Sequence, residues 1–500
     1  MSNTLQLYAQ YRSKMRLITD VRSAHAVLQW DQETYMPPKG AGFRGQQIST
    51  LSEISHRFFS EEELGNILKE LLGKKDLSPG QKRNVELSFE DYEKNKKYSS
   101  AFVRALSEQV NKTFHSWISS RKKNDFSVYE KDLELLIGLK KQEADILGFK
   151  DHPYNALVNE YEKGCTVELV DRTFSGLIPD LRQLLERIAD KPQVDDGFLM
   201  QHYPRQDQWN WGNELVKILN FDMDAGRQDI SEHPFSTSFN RNDVRITTRI
   251  DENDFANMTW SCIHEAGHAL YEQGLPEEEY GLPLGEPCSY SLHESQSRLW
   301  ENHVGRSKAF WNFLYPRLQQ QFAAQLSKTG IDAFYKGINK VQPSLIRTEA
   351  DEITYHFHVY IRYELEKGLI EGSIQTKDIP HFWNSQYEKL LAVKVPDDKS
   401  GCLQDVHWSH GSFGYFPTYS LGSFYAAQFF SAASNQVENL EKQINMGDTT
   451  RLLNWLRVHI HNKGRYYISE DLCKEITGTT LDVSYFMKYL LHKYDSIYNL

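Results

Sequence analysis

Two histidines four residues apart, with a glutamate after the first, form the segment His264-Glu265-Ala266-Gly267-His268. On a helix this spacing places both imidazoles on one face, where they can grip a divalent cation, with a carboxylate beside the first. A catalytic ion of this kind needs a third protein ligand and an open position for water. Thirty residues after His264, Ser291-Leu292-His293-Glu294-Ser295-Gln296-Ser297-Arg298 predicts a second helix with Ser291 as N-cap and Glu294 in its first turn. Glu294 is the expected third ligand; His293 competes for the place, and a Ser291–Glu294 capping box is the structural alternative. The chemistry open to such a set is hydrolysis by a metal-activated water, with Glu265 as general base and later as proton donor to the leaving amine.

The elements that must hold these residues are mostly helical. Leu133, Leu136, Ile137, Ala144 and Leu147 recur at helical spacing, as do Leu169, Phe174, Leu177, Leu181 and Leu184. Strand character is concentrated at Asp243 to Ile250, where polar and β-branched residues alternate, so a short sheet or hairpin is expected there. Helical spacing returns over Asp251 to Gln273, with Asp251 or Asp254 as N-cap and Gly274 and Pro276 as stops. A strand beside the histidines could align an extended peptide by pairing with its backbone, which predicts broad specificity. His356, His358 and His381 lie on aromatic helical faces and read as core or surface residues rather than ligands.

Composition narrows the class. Five hundred residues, 40% of them hydrophobic, supply a large buried core and exclude disorder, and no flexible linker divides the chain, so residues 1–500 read as one domain of two packed lobes. A net charge of −11 disfavours nucleic acid as a partner. The five cysteines are scattered and contain no CxxC pair, which fits reduced thiols and a cytoplasmic location. The N-terminal segment has no apolar signal core, and no long apolar run predicts a membrane span.

Four blocks together carry a resemblance: Asp243-Val244-Arg245-Ile246-Thr247, the His264–His268 pair, His293 to Arg298, and Ile346-Arg347-Thr348-Glu349-Ala350-Asp351-Glu352. Trp30 to Thr34, His233 to Phe235, Gly401 to Trp408 and Gly414 to Gly422 match in the same order. In these segments the chain resembles the carboxypeptidase Taq family of metallocarboxypeptidases. The resemblance implies a mainly α, neurolysin-like fold of two helical lobes around a deep active-site cleft, with a small β-sheet at the cleft edge. It implies Zn2+ held by His264, His268 and Glu294, with Co2+ or Mn2+ compatible with the same donors. It also implies release of single residues from the C-termini of peptide substrates, and a homodimer.

Further roles follow from the resemblance. His407 and Tyr419 sit in a Gly-rich aromatic stretch similar to the mobile loop of neurolysin-like peptidases, where a His and a downstream Tyr stabilise the oxyanion; Tyr415 competes with Tyr419. Arg347, at the start of a long helical segment, is expected to bind the substrate carboxylate, unless it pairs with Glu349, Asp351 or Glu352, acids that could equally orient a metal-binding histidine. Arg245, Arg249 and Arg298 are alternative carboxylate binders or structural ion pairs. Glu286-Pro287-Cys288-Ser289-Tyr290 departs from the family pattern and raises the question of whether the Cys288 thiol reaches the metal. The rival readings are an oligoendopeptidase or dipeptidase on the same fold, and a catalytically silent metal-binding scaffold.

Overall fold

The computed structural model describes residues 3–500. It is mainly α, with a single three-stranded sheet among the described residues. The chain forms two compact units, each assembled from three separate segments. The first comprises the chain up to Lys96, Asp195–Ile338 and Phe429–Thr480; the second comprises Lys97–Val194, Asn339–Gln428 and Leu481–Leu500. No composition shift marks these joins in the sequence, because the helix Phe416–Gln436 runs through one of them unbroken.

In the first unit, strands β1 (Gly226–Ile230), β2 (Ser236–Asn240) and β3 (Asp243–Thr248) lie in the order β1-β3-β2. β1 runs parallel to β3, pairing Gly226 with Val244, and β2 runs antiparallel, pairing Ser236 with Ile246. The strand expected at Asp243–Ile250 is therefore present but central, with both its edges already paired. An added peptide strand must use one of the margins, β1 or β2, instead, which corrects the sequence expectation.

The helix Phe255–Glu272 packs on β3, and the Thr248 and Ser261 hydroxyls are 2.7 Å apart across that contact. Asp254 caps it by accepting from the Ala256 and Asn257 amides, one of the two caps expected. Its buried residues, among them Phe255, Met258, Trp260, Ile263, Ala266 and Leu270, surround the axis rather than forming one stripe, so it is an interior helix. Aromatic clusters seat it: Phe255 meets Tyr203 and Phe322, and Trp260 meets Trp311.

The following helix, Tyr290–Arg298, is capped by Ser289, whose side chain accepts from the Leu292 amide. Ser291 is thus inside the helix and Glu294 in its second turn, which removes the predicted Ser291–Glu294 capping box. The two helices approach at Gly267, where an added Cβ would lie 2.5 Å from the Ser297 Cα and 2.8 Å from the Gln296 carbonyl oxygen. Only a residue without a side chain permits that approach.

The second unit packs the helices Val167–Ala189, Tyr355–Glu371 and Ser484–Tyr498 through a shared aromatic core in which Phe174, Tyr363, Phe424 and Phe486 are buried. His356 and His358 belong to this core as expected, with Nδ1 bonded to the Ser420 and Tyr387 hydroxyls. His381 is exposed.

Because the Gly267 contact is backbone against backbone, Gly267→Ala is expected to force the two helices apart. It should destabilise the fold by about 2–4 kcal/mol and lower metal content below one ion per chain; a thermal melt with metal analysis of the purified protein checks both.

Candidate functional site

The helix Phe255–Glu272 presents His264 and His268 on one face, and the next helix brings Glu294 to them. The Glu294 Oε2 lies 3.8 Å from the His264 Nε2 and 3.6 Å from the His268 Nε2. One ligand atom from each of the three lies within 4.8 Å of the other two, the spacing of donors around a single ion.

The groups behind the ligands fix which atoms face inward. His268 Nδ1 donates to the His293 carbonyl oxygen at 3.0 Å, and His264 Nδ1 donates to the Glu301 carboxylate at 2.9 Å. Both acceptors lack a proton to give, so each ring carries its proton on Nδ1 and turns the lone pair of Nε2 towards Glu294. Arg298 Nε binds the far oxygen of Glu294, Oε1, at 2.7 Å, leaving Oε2 to the ion. The donor set therefore fits a divalent cation: two imidazoles that present Nε2, one carboxylate and second contacts that hold each in place.

Glu301 is the functional residue the sequence analysis missed. It lies in a π-helical turn, Leu299–Gly305, seven residues past Glu294, and is buried among His264, Arg298 and Arg306. Burial would raise its carboxyl pKa, but Arg298, His264 and Arg306 outweigh burial and hold it well below the usual carboxylate range. The only sequence signal is a position two turns beyond a ligand on the same helical face, and the π turn that aims it cannot be read from residue types. The acids proposed for this task serve elsewhere: Asp351 caps the Ile353 and Thr354 amides, and Glu352 binds Lys493 at 2.7 Å.

Charge at the ligands follows from these partners. Burial pushes His268 well below the ordinary imidazole range, and the neighbouring His293 and His264 push it further, so it is neutral. Burial acts the same way on His264, but Glu294 and Glu301 together reverse it and raise that pKa. The Glu265 carboxyl is pushed up to about 7, chiefly by burial, with His264 pulling it down and Glu294 pushing it up. Ser236 of β2 also pulls the pKa of this carboxyl down, which sets the base near the strand edge. A proton acceptor with a pKa near neutrality is what general-base hydrolysis at neutral pH requires.

The competing assignments resolve as follows. His293 stacks on His268 at 4.4 Å and turns its Nε2 to Glu272 at 2.9 Å, so its contribution to the centre is its backbone carbonyl, not its ring. The Cys288 thiol donates to the Tyr467 carbonyl oxygen at 3.2 Å and stands outside the ligand cluster. Arg245 gives Nε and Nη2 to Asp243 at 2.8 and 2.9 Å and lies over the Trp30 and Phe239 rings, the ion-pair alternative given for it. Arg298 is likewise taken by Glu294 and Glu301, and Arg249 is exposed.

The second unit holds the other four expected residues in one group. Arg347 is not on the long helix, which begins at Tyr355, but in a short 3-10 turn, Arg347–Glu349. It pairs with Asp405, not with its neighbouring acids, through Nε at 3.1 Å and Nη2 at 3.0 Å. Arg362 binds the other oxygen of Asp405, so two guanidinium groups share one carboxylate and leave one net positive charge. The Arg347 guanidinium lies 4.8 Å from the centre of the Tyr419 ring. Tyr419 and His407 meet at 3.1 Å between the hydroxyl and Nε2, and Tyr415 packs edge-on against Tyr419. Burial pushes His407 down to about 3 despite Asp405, so its ring is neutral.

An interior helix bearing two imidazoles and a carboxylate, completed by a glutamate from the next helix, defines a metallopeptidase of the HExxH class. Residues 10–494 match the carboxypeptidase Taq (M32) metallopeptidase family, and the chain belongs to that family. It is 36% identical to Carboxypeptidase 1 of Bacillus subtilis (strain 168) over 490 residues, 97% of each chain. Its fold superposes on the M32 carboxypeptidase of Deinococcus radiodurans R1 with a TM-score of 0.97 at 35% identity, covering 99% of this chain and 100% of that one. A solved structure described as CHT is 58% identical, with a TM-score of 0.96 over 98% of this chain and 99% of that one. The protein is a metal-dependent carboxypeptidase, a peptide hydrolase.

Glu301→Gln removes the charge that orients His264 without removing a ligand. It should weaken metal binding about 10–100-fold, measured by competition with a chelator.

Proposed function

We propose that the protein releases single residues from the C-termini of short peptides, using zinc held by His264, His268 and Glu294. The observation that carries this reading is the convergence of the two Nε2 atoms and the Glu294 Oε2, with the buried Glu265 carboxyl on the same helix. When bound, the ion supplies a Lewis acid that polarises the scissile carbonyl and makes water acidic enough to react at neutral pH. Zinc suits two imidazoles and a carboxylate; cobalt and manganese accept the same donors.

Glu265 takes the proton of the attacking water and passes it to the departing amine nitrogen. Arg347 receives the terminal carboxylate of the substrate, while Asp405 holds the guanidinium from Nε and Nη2. Two arginines against one aspartate supply the unpaired positive charge an anion needs. The Tyr419 hydroxyl, partnered by His407, and Tyr415 beside it are the donors for the carbonyl oxygen as it gains charge.

Upstream substrate residues pair with the β2 margin. A cavity of about 830 Å³ runs beside that strand, lined by Arg16, Ser236, Asn240, Glu272, Tyr280 and Glu286 among others. Recognition through a strand reads backbone, which supports broad specificity. All five cysteines are free, in keeping with a reducing cytoplasm. Among the described residues no helix is long and apolar enough to cross a membrane. The family resemblance extends the reading to a homodimer, which sedimentation would report as twice the 58.3 kDa chain mass.

The deciding experiment follows, by mass spectrometry, a free-acid peptide and its C-terminally amidated twin with metal-loaded protein and a chelated control. Stepwise loss of C-terminal residues from the free acid alone is expected; equal internal cleavage of both would establish an oligoendopeptidase. In the same assay Glu265→Gln should retain its metal and lose at least about 100-fold in turnover, and normal turnover would remove Glu265 from its role. Arg347→Ala should lower kcat/KM for the free acid by about 100-fold, mostly through KM, and steady-state kinetics across the two peptides will report it.

A further inference from the structure

Glu366, on the helix Tyr355–Glu371, is fully buried at 0% exposure, and no step described above uses it. Its Oε1 accepts from the Trp408 indole N–H at 2.8 Å. Its Oε2 accepts from the Gly414 amide at 2.9 Å and from the Tyr154 hydroxyl at 2.6 Å. Trp408 directly follows His407, and Gly414 directly precedes Tyr415. One carboxylate thus fastens both ends of the segment that joins the His407 ring to the aromatic donors.

Other contacts also hold that segment: the Ser412 amide donates to the His407 carbonyl oxygen, and the buried Trp408 ring packs on Trp383 and Phe413. The segment consists of the 3-10 turn His407–His410 and two glycines in the left-handed region, Gly411 at φ 74° and Gly414 at φ 99°. A Cβ at Gly414 would lie 2.6 Å from the Leu157 carbonyl carbon, so the segment rests directly on the backbone of the helix Tyr154–Val158, which also carries the third donor.

The three partners impose a chemical demand. All are donors, and an ionised carboxylate, which only accepts, satisfies all three; an amide would turn an NH2 group towards at least one N–H or O–H. Burial pushes this carboxyl up to about 7, while Tyr154, Gly414, Trp408 and the charge of Lys140 pull the other way. None of the three bonding partners is a cation, so the group is costly to bury, and an apolar residue would serve packing alone better.

We propose that Glu366 is a positioning residue for the hydrolysis: by pinning Trp408 and Gly414 it sets the His407 ring against the Tyr419 hydroxyl. This rests on the reading of the Tyr419 hydroxyl, partnered by His407, as a donor to the carbonyl oxygen.

A double-mutant cycle on the full-length, metal-loaded protein tests it, reading kcat and KM on a short free-acid peptide. Glu366→Gln should lower kcat by about 10–100-fold with KM within about 2-fold and metal content unchanged. Introduced into Tyr419→Phe it should cost less than about 2-fold more, because the lost geometry matters only through that hydroxyl. Trp408→Phe keeps the ring and deletes only the N–H; it should show a smaller loss of the same pattern, and it stands in should Glu366→Gln not fold. Equal fold-losses in both backgrounds, or wild-type kcat in Glu366→Gln, would overturn the proposal. A fully active Tyr419→Phe would instead overturn the donor reading itself and this proposal with it, so the two failures are distinguishable.

Discussion

The metal centre depends on two helix backbones touching. Gly267 lies between the metal-binding histidines, and its missing side chain lets the Ser297 backbone come close enough for Glu294 to reach the Nε2 atoms of both rings. Any side chain there would separate the helices by more than a ligand bond can stretch, since such bonds hold to about 0.2 Å. Thus a residue with no functional group decides whether three functional groups meet.

Once the helices are in contact, charge has to be kept in place without water. Glu294, Glu301, Arg298 and His264 form a chain in which every carboxylate is shared between a cation or imidazole and its neighbour. Burial penalises each charge separately, and for Glu301 the partners in the chain outweigh that penalty. Glu265, on the same helix, has no arginine partner among its strongest influences, and its carboxyl accordingly drifts up to about 7. One short stretch of chain therefore holds a carboxylate locked in its charged form and another free to exchange a proton. The second unit follows the same logic with the sign reversed: Asp405 between Arg347 and Arg362 leaves cationic character, and the low pKa of His407 keeps that ring neutral beside it.

The clustering of His264, His268 and Glu294 and the grouping of Arg347, His407 and Tyr419 were legible in the sequence because each is signalled by residue type at short spacing, or by a motif. What went astray involved partners distant in the chain. The acids offered as alternative partners for Arg347 lie two to five residues away, whereas its guanidinium pairs with Asp405, fifty-eight residues on. The Asp243 strand is correct in extent but central in the sheet, because β1, which lacks a strong strand signature, pairs with its other edge. Ser289 caps the second helix in place of Ser291, a choice between two equally able hydroxyls that the entry angle of the chain makes. Glu301 escaped notice because a π turn breaks the regular spacing on which helical faces are read.

By itself the sequence pointed to the chemistry: two histidines four apart on a helix, a carboxylate beside the first and a glutamate in the next helix are the residue types that hold a divalent ion and move a proton. It also determined that the protein is mainly helical, since apolar periodicity is a local property of the chain. The tertiary structure alone decided which carboxylate backs which histidine, which strand edge is open, and how three separated stretches of chain make each unit. The physical reason is one of range. Hydrogen-bond periodicity and ligand spacing are set within a few residues, whereas the partner of a buried charge is whatever the fold brings within about 3 Å, and no local rule records that.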